Sequence, residues 1–362
     1  MYNAFLKRTK EAIAALEKHI RTSDQFRTAV FNESVKCKRK KTPCFDPAIM
    51  SPETAPDLLQ WRVIDHCAAV TRIYAIYEQF AHEMIREHLS LLQSRIPFGE
   101  LPDSLRSSYR TGIAKILEKK DGPRFADLDL ATLISGYDRA LGGHEYVLEP
   151  RAMLMQEQNL RLPELQRFMS ACGVDGVAHW IEQHPAIQSF FAVGGRLTAT
   201  AASEMAELIE YRNDAAHGSI DITDIQNVNG LTEFCHFVAA VCEALAEKVQ
   251  LAGLRMLQPH DQAAERGWVA QSLKKGLVAI GRMTGSFRIG DTVYLCGEAY
   301  CHERAVVSLQ LDGVAQDEVN LAVATELGIQ FDAPGKRNAT VMVINPRPAR
   351  SDRIKTEDNT PD

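Results

Sequence analysis

The residues from 58 to 93 read LLQWRVIDHCAAVTRIYAIYEQFAHEMIREHLSLLQ. Apolar side chains recur along this stretch over several helical turns. The apolar positions are Trp61, Ile64, Ala68, Ile73, Ile76, Phe80, Met84 and Leu91. Pro97 and Gly99 follow the stretch, and both residue types commonly end helices. The pattern predicts one long amphipathic helix whose apolar face packs against other helices.

Further helices are predicted on both sides of this one. Residues 3–35 contain neither glycine nor proline, and their apolar positions fall at helical spacings. Several shorter helices are expected within residues 103–190, broken at Gly122-Pro123, Gly142-Gly143 and Gly173. An alanine-rich helix is predicted from Thr198 to Gly218, and a last helix over residues 230–257.

The pattern changes after Trp268, where short segments rich in valine, isoleucine and tyrosine alternate with glycine-containing turns. The predicted strands are Leu277–Ile280, Ser286–Ile289, Thr292–Leu295, Ala305–Leu311 and Thr340–Ile344. Five or six short strands in so few residues are typical of a small barrel. The predicted fold class is therefore segregated α+β, with an all-α helical bundle followed by a small C-terminal β-barrel.

Five segments are predicted along the chain. They are an N-terminal helix and basic linker (1–50), a helical domain (51–258), a linker (259–274), a small β-barrel (275–345) and a disordered tail (346–362). The second linker is polar around residues 259–267, as domain junctions are. The tail is rich in proline and charge, which favours disorder.

Composition excludes several classes of protein. The net charge of −6 means that any binding of nucleic acid depends on a local basic patch. No signal peptide and no apolar stretch long enough to span a membrane is recognised, so a cytoplasmic protein with no membrane partner is expected. The eight cysteines lack CxxC spacing, which argues against zinc ribbons and favours free thiols.

The segment most informative about chemistry is Arg212-Asn213-Asp214-Ala215-Ala216-His217, followed by Gly218. Cleavage of RNA through its 2′-hydroxyl needs a group that moves a proton and a cation that stabilises charge on phosphorus. Histidine can act as acid or base near neutral pH, and arginine pairs with phosphate through two donors. An asparagine amide can orient the histidine or bind a phosphate oxygen. This chemistry needs no metal, and no cofactor is expected.

The motif resembles the Arg-x4–6-His motif of the HEPN superfamily of nucleases, in which a polar residue often follows the arginine. Here the spacing is Arg-x4-His, and Asn213 fills the polar position. Residues 72–80 and 149–173 are similar to the RiboL-PSP-type members of that group, so the resemblance covers about residues 58–250. It implies an endoribonuclease that acts on cellular RNA, with Arg212, Asn213 and His217 as the catalytic residues. It also implies a setting in toxin–antitoxin or phage-defence systems, with an antitoxin as a candidate partner.

Helix geometry places a condition on this site. Arg212 and His217 are five residues apart, about 140° around an ideal helix, so one straight helix does not direct both to one point. A cleft lined by two copies of the motif removes the difficulty. HEPN nucleases typically form such dimers, so the resemblance implies a homodimer.

Two readings of the motif stay open. An arginine and a histidine near a helix C-terminus also complement the helix dipole, which is a purely structural role. Catalytically silent HEPN domains exist as well, so the alternative function is a scaffold that binds RNA or a translation component. Glu78 and Glu210 are candidate acids that would contact the catalytic residues rather than the RNA. Solvated charges on a helix surface explain them equally well.

Three weaker features accompany the motif. Candidate RNA-binding residues lie in a basic run, which is read equally well as a solvated linker: Lys36, Lys38, Arg39, Lys40 and Lys41. Tyr74 and Tyr77 could stack on bases, but core packing is the favoured reading. Residues 281–293 resemble the second-domain β-barrel of translational GTPases. No phosphate-binding Gly-x4-Gly-Lys-Ser/Thr motif occurs, so no GTPase is implied.

Overall fold

The computed structural model describes residues 2–31, 55–155, 158–194, 199–218 and 224–346. The basic run over residues 36–41 lies outside these ranges, as does the predicted tail from residue 347 onward. Of the predicted helix over residues 3–35, the structure has a helix over Asn3–Val30, and residues 32–35 are among those not described. Six cysteines lie in the described part of the chain and are free thiols, whereas Cys37 and Cys44 lie outside it.

The described ranges contain nine α-helices, all of which precede the strands. They are α1 (Asn3–Val30), α2 (Leu58–Gln93), α3 (Asp103–Glu118), α4 (Leu130–Leu141), α5 (Leu162–Ala171), α6 (Val177–Gln183), α7 (Pro185–Val193), α8 (Ala201–His217) and α9 (Val228–Leu257). The segregated α+β class is thus confirmed. Within the described ranges, no helix combines the length and apolar character that crossing a bilayer requires.

Helix α2 has the bounds that the sequence predicts, but only part of its predicted apolar stripe is buried. Ile73, Ile76, Phe80 and Met84 are buried, whereas Ile64 is 56% exposed. Ile64 precedes Ile73 by nine residues, which places it about 180° around an ideal helix on the opposite face. The prediction for Ile64 was therefore wrong because the first part of the stripe follows a different face of the helix.

The first compact unit consists of the described residues of Met1–Glu87, Ser107–Glu118 and Pro150–Val249. Within it, ion pairs around the buried Arg27 guanidinium tie α1 to α2. The Arg27 guanidinium pairs with Asp65 at 2.5 Å and also with Asp24, and Ser23 donates to the same Asp65 carboxylate. A guanidinium buried to this degree needs such partners, because an unpaired buried charge is costly.

His66 of α2 is a buried titratable group in the same unit, with 1% of its surface exposed. Its Nδ1 accepts a hydrogen bond from the backbone N–H of Gln226 at 3.1 Å. Its ring meets the Tyr211 ring edge-on, with the centroids 5.3 Å apart. Burial lowers the pKa of His66 below its usual value of 6.5, so burial favours the neutral ring in the folded chain.

This burial predicts a dependence of stability on pH. Below the usual histidine pKa of 6.5 the unfolded chain binds a proton that the folded chain resists. The free energy of unfolding should therefore fall as the pH is lowered below that value. One such group contributes at most about 1.4 kcal/mol per pH unit. The variant His66→Asn keeps an acceptor near the Nδ1 position and does not titrate.

Urea unfolding between about pH 5 and pH 7 should give a smaller slope for His66→Asn than for the wild type. The exposed residue His19 on α1 offers a matched control, since His19→Ala should keep the wild-type slope. Equal slopes for His66→Asn and the wild type would contradict the expectation.

Within the described ranges, seven antiparallel strands follow the helices, and six of them close into a barrel. They are β1 (Ala263–Leu273), β2 (Val278–Arg288), β3 (Thr292–Cys296), β4 (Cys301–Leu311), β5 (Val314–Gln316), β6 (Glu318–Phe331) and β7 (Thr340–Ile344). The hydrogen-bonded order is β3-β7-β1-β2-β6-β4, and β3 also pairs with β4. Six strands therefore form a closed barrel, and β5 extends it only along β4. The inward side chains include Met283, Phe287, Leu295, Leu327 and Val341.

The structure corrects the prediction of a linker over residues 259–274, because β1 occupies Ala263–Leu273. The pairing register of β1 shifts once between Glu265 and Gly267 and again between Val269 and Gln271. Each bulge leaves a residue unpaired and breaks the alternation of inward and outward side chains. The sequence pattern of a strand is thereby lost, and the many polar outward residues resemble a linker. Strand β6 was also not predicted.

The second compact unit consists of the described residues of His88–Arg106, Lys119–Glu149 and Gln250–Asp362. Within this unit, the barrel contacts the helical part of the chain through buried or half-buried hydrogen bonds. The Gln250 amide of α9 donates to the carbonyl of Cys301 in β4 at 2.7 Å. The Arg95 guanidinium, in the turn after α2, donates to the carbonyl of Asn345, just after β7, at 2.9 Å. The barrel is thus packed together with helical residues rather than standing alone.

Candidate functional site

Helix α8, which carries the Arg-Asn-x3-His motif, is fixed at both ends by hydrogen bonds. At its start, Thr200 and Ser203 form a reciprocal capping box. The Glu182 carboxylate accepts from the first two N–H groups of the helix at 3.0 and 3.1 Å, where a negative charge is favourable. At its end, Gly218 takes a left-handed conformation with φ of 69°. The motif therefore occupies the last turns of a helix with defined ends.

The Arg212 side chain of α8 is half-buried and lies over an aromatic ring of α2. Its guanidinium carbon is 5.1 Å from the centroid of the Tyr74 ring, within the range of a cation–π interaction. Its Nη1 donates to Oδ1 of the neighbouring Asn213 at 3.2 Å. These two contacts hold the guanidinium in a defined position before any ligand binds.

The Asn213 amide is oriented by two donors. Its Oδ1 accepts from Arg212 and also from Nδ2 of Asn159, the latter at 2.9 Å. A guanidinium has donors only, so the oxygen of Asn213 must face it. The Nδ2 group of Asn213 then points away from Arg212, and no described residue accepts from it.

Two tyrosines of α2 hold the backbone of Leu160, the residue that follows Asn159. The N–H of Leu160 donates to the Tyr74 hydroxyl at 3.0 Å, and the carbonyl of Leu160 accepts from the Tyr77 hydroxyl at 2.9 Å. Burial is the main cause that raises the pKa of the Tyr74 hydroxyl, so this group keeps its proton. It donates that proton to the Glu78 carboxylate at 3.0 Å. Core packing, the favoured reading of both tyrosines, agrees with their burial.

Glu78 and Glu210 occupy different surroundings. Glu78 is half-buried and accepts a hydrogen bond from the hydroxyl of Tyr74, whose ring lies beneath Arg212. Glu210 is exposed on α8, and its side chain makes no hydrogen bond or ion pair among the described residues. The structure thus brings one of the two candidate acids to the Arg212 cluster.

His217 lies apart from that cluster within one chain. Its side chain is exposed at the end of α8 and forms no hydrogen bond with Arg212, Asn213 or any other described residue. This agrees with the angle of about 140° expected from the five-residue spacing. The candidate RNA-binding residues of the basic run lie outside the described ranges, so nothing is added about them.

Asn159 is a component of this site that sequence reasoning missed. It lies 54 residues before its partner Asn213 in the sequence. A single asparagine before a helix carries no distinctive pattern. Its role becomes visible only from the contact itself.

Comparisons with known proteins give a family match and weak structural likenesses. A family model described as RiboL-PSP-HEPN matches residues 50–250, more than half of the chain. Among proteins with curated functions, none matches. The C-terminal domain of a putative U32 peptidase from Geobacillus thermoleovorans is 17% identical, with a TM-score of 0.20, over 23% of this chain and 92% of that one. Its selenomethionine variant gives the same identity and TM-score, over 22% of this chain and 98% of that one.

Proposed function

Because the chain belongs to the RiboL-PSP-HEPN family, we propose that it is a metal-independent endoribonuclease that cleaves RNA through the 2′-hydroxyl. The observation that carries the proposal is the fixed position of Arg212, held between the Tyr74 ring and the Asn213 amide. Electrostatic stabilisation of a phosphorane is most effective when the donors are already in place. A purely dipole-complementing arginine needs neither contact.

Each residue of the motif has a role in this reaction. The 2′-oxygen forms a bond to phosphorus, the bond from phosphorus to the 5′-oxygen breaks, and a proton moves from the first oxygen to the second. Arg212 pairs with the phosphate oxygens, where charge accumulates in the transition state. Asn213 donates from Nδ2 to one of the same oxygens. His217 transfers the proton as acid or base.

Two copies of the chain form the complete site in this proposal. Within one chain, His217 is exposed and away from Arg212, which is turned toward Tyr74. A second copy of α8 can supply the histidine that the first copy cannot direct to its own arginine. The proposed state is therefore a homodimer with one cleft lined by both motifs.

The proposed biological setting is a cytoplasmic toxin or phage-defence effector that attacks cellular RNA. A neighbouring antitoxin, or a translation component bound by the barrel, is the partner that this setting implies. The resemblance of the barrel to translational GTPases stays a prediction. The alternative function, a silent HEPN scaffold that binds RNA without cutting it, is one outcome of the test below.

Purified wild-type chain should cleave RNA in the presence of EDTA and leave 2′,3′-cyclic phosphate and 5′-hydroxyl ends. RNA with a single 2′-deoxy nucleotide at the cut site should resist, because the attacking oxygen is missing. Sequencing of RNA ends after induced expression would name the substrate. Cutting of the 2′-deoxy substrate would refute the mechanism, and binding without cleavage would support the scaffold instead.

A further inference from the structure

We propose that Asn159 is a positioning residue of the site. It holds the side-chain amide of Asn213 with its oxygen toward Arg212 and its nitrogen toward a bound phosphate. The inference rests on the proposed function and extends it to a residue outside the motif. Asn159 does not itself touch the substrate in this arrangement.

The orientation of both amides follows from the chemistry of Arg212. A guanidinium cannot accept a hydrogen bond, so the atom of Asn213 that lies 3.2 Å from Nη1 is the oxygen. The atom of Asn159 that lies 2.9 Å from that same oxygen must then be a donor, which is Nδ2. One asparagine oxygen thus receives two donors, and its own NH₂ group faces the other way.

The backbone next to Asn159 is itself fixed. Both polar groups of the Leu160 main chain are bound by buried tyrosines of α2, the N–H by Tyr74 and the carbonyl by Tyr77. Tyr74 is also the ring on which Arg212 rests. The Tyr74 side chain therefore positions Arg212 directly and Asn159 indirectly, through the Leu160 backbone. This couples the positions of Arg212 and Asn213, the two proposed phosphate donors.

This coupling reduces the conformational entropy that the Asn213 amide loses when substrate binds. An isolated asparagine amide on a helix surface rotates and presents its oxygen and nitrogen in turn, and the oxygen repels phosphate. A second donor to the oxygen removes the wrong orientation before substrate arrives. Positioning of this kind raises the rate because less reorganisation is needed in the transition state.

A double-mutant cycle tests whether Asn159 acts through Asn213. We expect Asn159→Ala to lower kcat/KM for RNA about five- to tenfold, the usual effect of one neutral hydrogen bond. The same change made in the Asn213→Ala background should have no further effect, because the group that it positions is absent. A purely structural role would instead give losses that multiply.

A second variant tests whether the loss of activity changes in the expected direction. Asn159→Asp replaces the donor by a carboxylate that faces the oxygen of Asn213 and attracts the guanidinium of Arg212. We expect it to lose more activity than Asn159→Ala, about 10²-fold or more, since a charged group now competes with phosphate for the arginine. A loss equal to or smaller than that of Asn159→Ala would overturn the inference.

Stability and binding measurements separate the two proposals. Tyr146→Phe removes a buried hydroxyl–carbonyl bond in the second unit and serves as a matched stability control. It should lower the thermal midpoint while keeping activity at temperatures below that midpoint. Asn159→Ala should instead keep the thermal midpoint and lose activity. Activity that simply follows the thermal midpoint would overturn the positioning role.

The same double-mutant cycle can be measured without catalysis, as affinity for a 2′-O-methyl RNA oligomer, which cannot be cleaved. If the wild type binds this RNA but never cleaves, the proposed endoribonuclease fails while the same cycle in affinity still decides the role of Asn159. A coupled loss of affinity supports it, and independent losses overturn it. A wild-type chain that neither binds nor cleaves RNA would overturn both proposals.

Discussion

Replacing His217 with alanine is expected to lower kcat for RNA cleavage by about 10²–10⁴-fold, the typical contribution of one proton-transfer group. The side chain is exposed and forms no hydrogen bond among the described residues, so its removal should leave the thermal midpoint unchanged. The loss should appear in kcat more than in KM, because proton transfer occurs in the transition state.

His19→Ala provides the matched control for this experiment. His19 is likewise an exposed histidine on a helix, in α1, and no role in cleavage is assigned to it. The control should keep wild-type activity, and both proteins should be assayed with and without EDTA. Wild-type activity in His217→Ala would remove this residue from the mechanism, even if the chain proved to be a nuclease.

Replacing Arg212 with alanine is expected to lower kcat by about 10²–10³-fold, the usual effect of removing one preorganised donor to a developing anion. Arg212→Lys should recover little of this loss. An ammonium is a point charge without the planar fork that binds two phosphate oxygens. Lysine also lacks the planar group that lies over the Tyr74 ring and donates to Asn213.

Arg8→Ala is the matched control for the arginine variants. Its guanidinium carbon lies 4.4 Å from the centroid of the Phe5 ring, so it is also an arginine over an aromatic ring, but on α1. The control should keep wild-type kcat. Full activity of Arg212→Lys would mean that charge alone suffices and that the contacts with Tyr74 and Asn213 serve stability.

The two inactive variants together test the shared cleft. Mixed and refolded as one sample, Arg212→Ala and His217→Ala should form dimers in which one copy supplies the histidine and the other the arginine. Such a sample should regain part of the wild-type activity. No recovery, despite exchange of subunits, would place the complete site within one chain.

The local periodicity of the sequence was sufficient for the long helices. Helix α2 has the predicted bounds, since a 36-residue helix repeats its pattern over many turns and Pro97 and Gly99 follow its end. Short strands are less certain in sequence, and β1 was missed because two bulges interrupt its alternation. The face of α2 that is buried near Ile64 was also misassigned, since packing partners decide which face is covered.

The sequence by itself determined the order of helices and strands, the position of the Arg-Asn-x3-His motif at the end of a helix and the family that carries it. Only the tertiary structure decided what surrounds the motif. The Tyr74 ring beneath Arg212 and the Asn159 amide on Asn213 come from distant parts of the chain. Helix and strand patterns report which face of an element is apolar, because that depends on neighbouring residues alone. Contacts between single polar side chains depend on how whole elements pack, and no local period records them.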